Sequence, residues 1–315
     1  MSAAASLPGP VLTGLALARG EVDRSAHLRS DADWLDAAWA NPGTRVLVAE
    51  HGRALCSIND REAKLYFAAP AQSPDGVRFL LGVDHEGVAY FGVAGPLPEA
   101  PGLADSAREG VRPVPLREAG PLLSDRDAGL MTHAVALANW HETFTHCPRC
   151  GSPTYPISSG HARKCPVDGS EHFPRVDPAM IVLVTDPDDR CLLARNALWP
   201  ERRVSVLAGF VEAGESAEQA VAREVHEETA VLVGAVRYLG SQPWPMPQSL
   251  MLGFRAEATS VDIQVDANEI AEARWYSRDD LREAVASGQL LLPPPISIAH
   301  RIIESWYGDD LPGAW

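Results

Sequence analysis

GFVEAGESAEQAVAREVHEETAV, residues 209–231, decides how this chain reads. It holds Glu224, Glu227 and Glu228 within five residues, with Glu215 nine residues before the first. Spacing of i, i+3 and i+4 puts three carboxylates on one helix face. Their repulsion costs roughly 0.2–0.5 kcal/mol per pair on an exposed helix. A hard divalent cation with oxygen ligands, Mg2+ or Mn2+, turns that repulsion into binding. Ser216 and Gln219 form a capping-box pattern, which predicts the helix start. Gly209 and Gly214 permit a tight loop before it. Val221, Ala222 and Val225 form the stripe expected to face the core, with the small Ala217 and Ala220 beside Glu224. A solvated acidic helix face is the ordinary alternative for such a cluster.

The 315 residues suffice for two or more domains with their own cores. Hydrophobic content of 46% and charged content of 22% are those of a soluble globular protein. A net charge of −15 argues against a broad grip on nucleic acid, so DNA is not an expected partner. It leaves room for an enzyme that takes only a nucleotide end. No run approaches the roughly 18 apolar residues of a membrane span. Residues 1–20 carry no basic leader and read as an ordinary first segment, not a secretion signal. Five cysteines, three of them grouped, suit a metal site and a reducing compartment, hence a cytoplasmic location.

Three regions follow from the patterning. Residues 1–130 read as a β-rich α+β domain: short runs at 45–48, 54–58, 64–68, 77–83 and 88–93 are separated by turn residues. Residues 100–115 are rich in Pro and Gly and read as a loop. Residues 131–175 read as a linker helix, patterned from about 125 to 142, followed by a cysteine-bearing segment too poor in apolar residues to hold a core alone. Residues 176–315 alternate strands and helices, with strands expected at 179–185, 190–194, 250–258 and 272–277. Helices are expected at 279–287 and 297–306.

Cys147, Cys150 and Cys165 look like three-quarters of a zinc ribbon. Asp168 holds the place of the fourth cysteine; His172, and less so His161, are other candidates. Any zinc would be structural, a staple for a segment too small to fold by itself. A ribbon that keeps its shape without metal is the alternative. Residues 241–250, SQPWPMPQSL, place three prolines around Trp244 and lock the backbone near the indole.

Taken together, these stretches resemble a known family. Residues 209–231 match the Nudix box, GX5EX7REUXEEXGU, except that Ala230 stands where the family has Gly. That position closes the helix, so Ala230 is expected to sit less comfortably at positive φ. SQPWP downstream of the box, the cysteine knuckle, HFPRVDP at 172–178 and LPPP at 292–295 resemble the NADH pyrophosphatase (NAD+ diphosphatase) branch of Nudix hydrolases. The departure there is Met246, where the branch has Phe. The likeness covers residues 140–315 well. The N-terminal region fits by order and length, and a non-catalytic, Nudix-like copy is one reading of it.

The resemblance implies an α/β/α sandwich with a mixed sheet at 176–315. It also implies a divalent-metal-dependent enzyme that hydrolyses NAD(H) to NMN(H) and AMP. By the same resemblance Glu224, Glu227 and Glu228 bind Mg2+ or Mn2+, with one of the last two helping to activate water. Glu215 pairs with Arg223, and Glu269 completes the metal shell, with Glu272 as the alternative. Phe210 and Phe173 are the stacking candidates, Phe173 across the interface of a homodimer. Gln242, Trp244 and Ser249 line the substrate pocket, and the backbone near Ala299 touches substrate. NAD-capped RNA is a related substrate, ranked below free NAD(H) because of the acidic balance. Other readings are a Nudix enzyme for ADP-ribose, coenzyme A or diadenosine polyphosphates, a non-catalytic nucleotide sensor, or a nucleic-acid-binding zinc ribbon. The intact box and the few basic residues near the knuckle argue against the last two.

Overall fold

Strand-forming runs with turn residues between them build separate sheets in the computed structural model, which describes residues 12–97 and 110–311. The chain divides into two units. One is Leu17–Val176 with Pro243–Ser249; the other is the described residues up to Ala16, Asp177–Gln242 and the chain from Leu250 onward.

In the first unit the strands are β1 (Arg45–Glu50), β2 (Arg53–Ile58), β3 (Ala63–Leu65), β4 (Val77–Val83), β5 (Ala89–Ala94) and β6 (Val111–Pro115). Their order is β3-β2-β1-β5-β4, with β6 also on β2. The sheet is mixed: β1 runs parallel to β5 and antiparallel to β2. Helix α1 (Ala32–Ala40) sets Trp34, Leu35 and Trp39 against Leu80 and Phe91. Helix α2 (Leu116–Ala119) is a single turn. Helix α3 (Asp125–Thr143) packs on β1, β4 and β5. Alternation along β4 sends Leu80 to α1 and Phe79 to His141 of α3, so the helices cover opposite faces. β6 corrects the loop expected at 100–115. Pro113 misled, because an outer strand tolerates a residue without an N–H. The rest of that run, to residue 109, and the first eleven residues of the expected leaderless segment lie outside the described residues. The unit ends in a small antiparallel sheet of β7 (Tyr155–Ile157), β8 (Ala162–Lys164) and β9 (Glu171–His172).

Histidines are buried among cations in this unit. His141 Nε2 bonds the Gly160 carbonyl at 2.8 Å, and its Nδ1 accepts from Arg163 at 3.0 Å, which fixes a neutral tautomer. His161 Nε2 bonds the Leu80 carbonyl at 2.7 Å, and its ring lies 5.3 Å from that of His133. Burial, then the neighbouring Arg163, brings His141 down to about 4 despite its bond to Gly160. Burial, with Arg29 and Arg24, brings His161 to about 4 despite its bond to Leu80. These folded values lie below the unfolded value of about 6.5, so the unfolded chain binds more protons between the two. Stability is therefore full above about pH 6.5 and lost as pH falls toward 4, by about 3 kcal/mol per histidine at most. Thermal melts should show the midpoint dropping across that window; a flat midpoint from pH 7 to pH 5 would contradict the burial of neutral rings.

The second unit holds β10 (Asp177–Thr185), β11 (Cys191–Asn196), β12 (Leu207–Phe210), α4 (Ala217–Thr229), β13 (Val233–Trp244), β14 (Ser249–Ala258) and β15 (Ile270–Tyr276). It closes with α5 (Arg278–Ala286) and α6 (Ile298–Tyr307). The order is β13-β14-β10-β11-β15, with β12 also on β10. β10 is apolar on both sides because both are covered. Met180, Val182 and Val184 face the core under α4, and Ile181 and Leu183 face that under α5 and α6. This is the α/β/α sandwich expected. β12 and β13 were not read from the sequence. β13 extends through Pro243 to Trp244, so the first part of the proline-rich stretch is strand.

Candidate active site

The loop between β12 and α4 is built for close approach. A Cβ added at Gly209 would lie 2.0 Å from the Glu224 carboxylate, so only glycine lets strand and carboxylate meet. Ser216 caps α4 and Gln219 returns the bond, as the pattern predicted. The core stripe differs from expectation at one residue, with Val221 and Val225 buried as expected. Ala220, Val221 and Val225 are buried and Ala222 is exposed. Glu228 follows Val225 by three residues, which draws it under cover at 7% exposure.

Arg223 organises the acidic face. Its Nε and one terminal nitrogen grip both oxygens of Glu215 at 2.9 Å each. The other terminal nitrogen donates to Glu224 at 2.9 Å and Glu227 at 3.0 Å, and the fifth N–H goes to the Phe210 carbonyl at 2.9 Å. All five guanidinium donors are used. Glu215 also accepts from the Glu212 amide at 3.0 Å, and the bonds from Arg223 and that amide hold its carboxyl below the usual range.

Glu228 has no such support. Its Oε2 is buried without a hydrogen-bond partner. Burial, then the charges of Glu224, Glu269 and Glu227, pushes its carboxyl up to about 8. Burial also raises Glu224, with Glu227 and Glu269 adding to it against the pull of Arg223. An orphaned carboxylate oxygen among acidic neighbours is the donor set of a divalent-cation site, and the residues present fit one. Glu269, in the turn before β15, belongs to this electrostatic group. Glu272, the alternative, points elsewhere, into a cavity lined by Arg195, Arg202 and Arg274. Ala230 closes α4 at φ 59°, the left-handed conformation expected from its place in the box. The Ala230→Gly variant should gain about 0.5–1 kcal/mol, as relief of the left-handed strain exceeds the added freedom of the unfolded chain. An unchanged or lower melting midpoint would contradict this.

The cysteines come together through two matched turns, CPRCG at 147–151 and CPVDG at 165–169. In each the glycine N–H returns to the first cysteine's carbonyl, at 2.9 Å and 3.1 Å. One ligand atom from each of Cys147, Cys150, Cys165 and Asp168 lies within 4.8 Å of the others. Asp168 thus stands where the second turn's second cysteine would be. The Ser170 hydroxyl and amide hold its carboxyl well below the usual range. Three sulfurs and an ionised carboxylate suit tetrahedral Zn2+. His172 stands behind, its Nε2 3.0 Å from the Ser170 hydroxyl, and His161 is committed to Leu80.

Family profiles match this arrangement in three stretches. They are a NUDIX domain at residues 175–292, an NADH pyrophosphatase-like rudimentary NUDIX domain at 42–140, and an NADH pyrophosphatase zinc ribbon domain at 142–173. The NAD-capped RNA hydrolase NudC of Mycobacterium bovis is 41% identical over 304 residues, covering 92% of this chain and 94% of its own. The chain belongs to the Nudix hydrolases, in their NADH pyrophosphatase branch. Human NAD-capped RNA hydrolase NUDT12 is 34% identical, covering 90% of this chain and 71% of its own. A solved NUDIX hydrolase from Nitrosomonas europaea overlays 53% of this chain and 95% of its own, at 19% identity and a TM-score of 0.42.

Nudix hydrolases need a divalent metal. Phe210 and Phe173 are not core residues; they are 58% and 67% exposed, each within its own unit. Trp244 and Ser249 are half-buried. Gln242 is fully buried, its amide donating to the Ile296 carbonyl at 2.9 Å. Ala299 lies in the core with its N–H bonded to the Ser297 hydroxyl at 3.2 Å. Gln242 thus ties β13 to the segment after the LPPP run, and the Ala299 bond is the N-cap of α6. Sequence reasoning paired Arg223 with Glu215 and missed its hold on Glu224, Glu227 and Phe210. The signal was available, since Glu227 is four residues from Arg223.

Proposed function

We propose that the chain hydrolyses the pyrophosphate bridge of NAD(H), giving NMN(H) and AMP, and removes NAD caps from RNA by the same chemistry. One observation carries the chemistry: the buried Glu228 carboxylate, its Oε2 without a hydrogen-bond partner, among the charges of Glu224, Glu227 and Glu269. The substrate class rests on the likeness to NAD-capped RNA hydrolases and to the NADH pyrophosphatase domains. When bound, Mg2+ or Mn2+ would neutralise pyrophosphate charge and make a water nucleophilic. Glu224, Glu227, Glu228 and Glu269 would hold it. Arg223, with Glu215 as its anchor, keeps Glu224 and Glu227 in place before substrate arrives. The carboxylate of Glu227 or Glu228 takes the proton of the attacking water.

Phe210 and Phe173 offer exposed rings, and a stacked base gains about 1–3 kcal/mol from such a surface. Trp244 and Ser249 sort substrates, Gln242 supports them, and the chain near Ala299 borders the bound nucleotide. Zn2+ on Cys147, Cys150, Cys165 and Asp168 would be structural. The working form is a homodimer in the cytoplasm, a reducing compartment that suits the grouped thiols. Residues 1–130, 131–175 and 176–315 act as a non-catalytic domain, a linker with ribbon, and the catalytic domain.

Comparing turnover of NADH, NAD-capped RNA and ADP-ribose tests this reading. NADH should exceed ADP-ribose, and Trp244→Ala should reduce NADH turnover more than that of ADP-ribose, which lacks the nicotinamide. Equal losses would make the indole structural only. The net charge of −15 ranks free NAD(H) above the capped RNA. A far higher kcat/KM on capped RNA would reverse that order.

A further inference from the structure

The turn that joins β13 to β14 is held by residues more than a hundred positions earlier in the chain. The Arg117 guanidinium lies 5.3 Å from the ring centroid of Trp244. The side-chain amide of Asn139 donates to the Pro245 carbonyl at 2.9 Å. Arg117 sits on α2 and Asn139 on α3, and the turn Pro243–Ser249 belongs to the same unit as both. Arg117 is exposed and makes no ion pair or hydrogen bond among the described residues, so its placed contact is the indole.

We propose that Arg117 and Asn139 are positioning residues for Trp244, and that through them the rudimentary Nudix domain sets substrate choice. The guanidinium covers one face of the indole and fixes the plane of the ring. Asn139 pins the backbone one residue on, so the indole cannot swing with the turn. An indole whose plane is set in advance leaves less ordering to be done when substrate binds. This gives a domain without the acidic box a part in the reaction: it carries no chemistry and holds the selector. The inference rests on the reading of Trp244 as the substrate-sorting residue.

The test compares NADH with ADP-ribose on the full-length, metal-loaded enzyme. Arg117→Ala and Asn139→Ala should each raise KM for NADH about fivefold, with kcat within about twofold, while ADP-ribose kinetics stay unchanged. Arg117→Lys should recover part of the loss, because the cation remains while the planar guanidinium does not. In a Trp244→Ala background, Arg117→Ala should cost nothing further, since the two act as one unit. Arg117 is a surface residue, so its loss leaves the fold standing. If Arg117→Ala harms both substrates equally, or neither, while Trp244→Ala stays selective for NADH, the positioning role is wrong and the specificity reading survives. If Trp244→Ala is itself unselective, both fall together.

Discussion

Glu227→Gln is expected to lower kcat by about a hundredfold or more, of the order of 3 kcal/mol in the barrier, while the protein stays folded. The Glu227 side chain is 58% exposed, and the bond it takes from Arg223 at 3.0 Å needs only an oxygen. The glutamine amide supplies that oxygen in nearly the same place. What the substitution removes is one negative charge from the group that would hold the cation. Structure and ligation are thereby separated: melting should be near that of the parent, while activity and the cation concentration needed for half-maximal rate should both suffer. Near-parental kcat in a folded variant would contradict the assignment of this face to metal.

Glu228→Gln should pair a loss of activity with a gain in metal-free stability. Glu228 is buried, its Oε2 has no partner, and its carboxyl is pushed up to about 8. The unfolded value is near 4.3, so the folded state binds more protons between the two, and stability is lost as pH rises through that window. At pH 7 to 8 the metal-free protein carries a strain that glutamine does not. The neutral variant should therefore be more stable without metal by about 1–3 kcal/mol at neutral pH, the gain shrinking toward pH 4.5. Added Mg2+ or Mn2+ should stabilise the parent and barely move the variant, because mass action needs a site. Activity should fall with it. A variant that is less stable without metal, or that keeps the parent's metal-induced shift, would show that Glu228 is held by something other than a cation.

Much of this site was legible because it is local. Helix start, carboxylate spacing and the Ala230 closure all lie within one stretch of residues 209–231, and each appears where the pattern put it. The one wrong residue in the core stripe, Ala222 for Ala220, arose because both alanines flank Val221 symmetrically on the helix and spacing alone does not choose between them. The approach of β12 in the sandwich selects the stripe, and sequence spacing does not contain it. β13 was missed because three prolines marked its end as loop; only Pro243 lies in the strand, and Pro245 and Pro247 fall in the turn beyond it. β6 was missed in the same way at Pro113. The holds of Arg117 and Asn139 on the Trp244 turn could not be read at all, since their partners lie more than a hundred residues away and no local pattern links them. The zinc ligands fall between these cases. Asp168 was found by spacing, and the matched turns of the fold then set it beside the three sulfurs in preference to His161 and His172.

The most direct test of the central claim is product analysis after incubating the purified protein with NADH and Mg2+ or Mn2+, with a chelator control. Formation of NMNH and AMP in equal amounts, abolished by the chelator and slowed about a hundredfold or more by Glu227→Gln, is the predicted result. Intact NADH in the presence of either cation would contradict it.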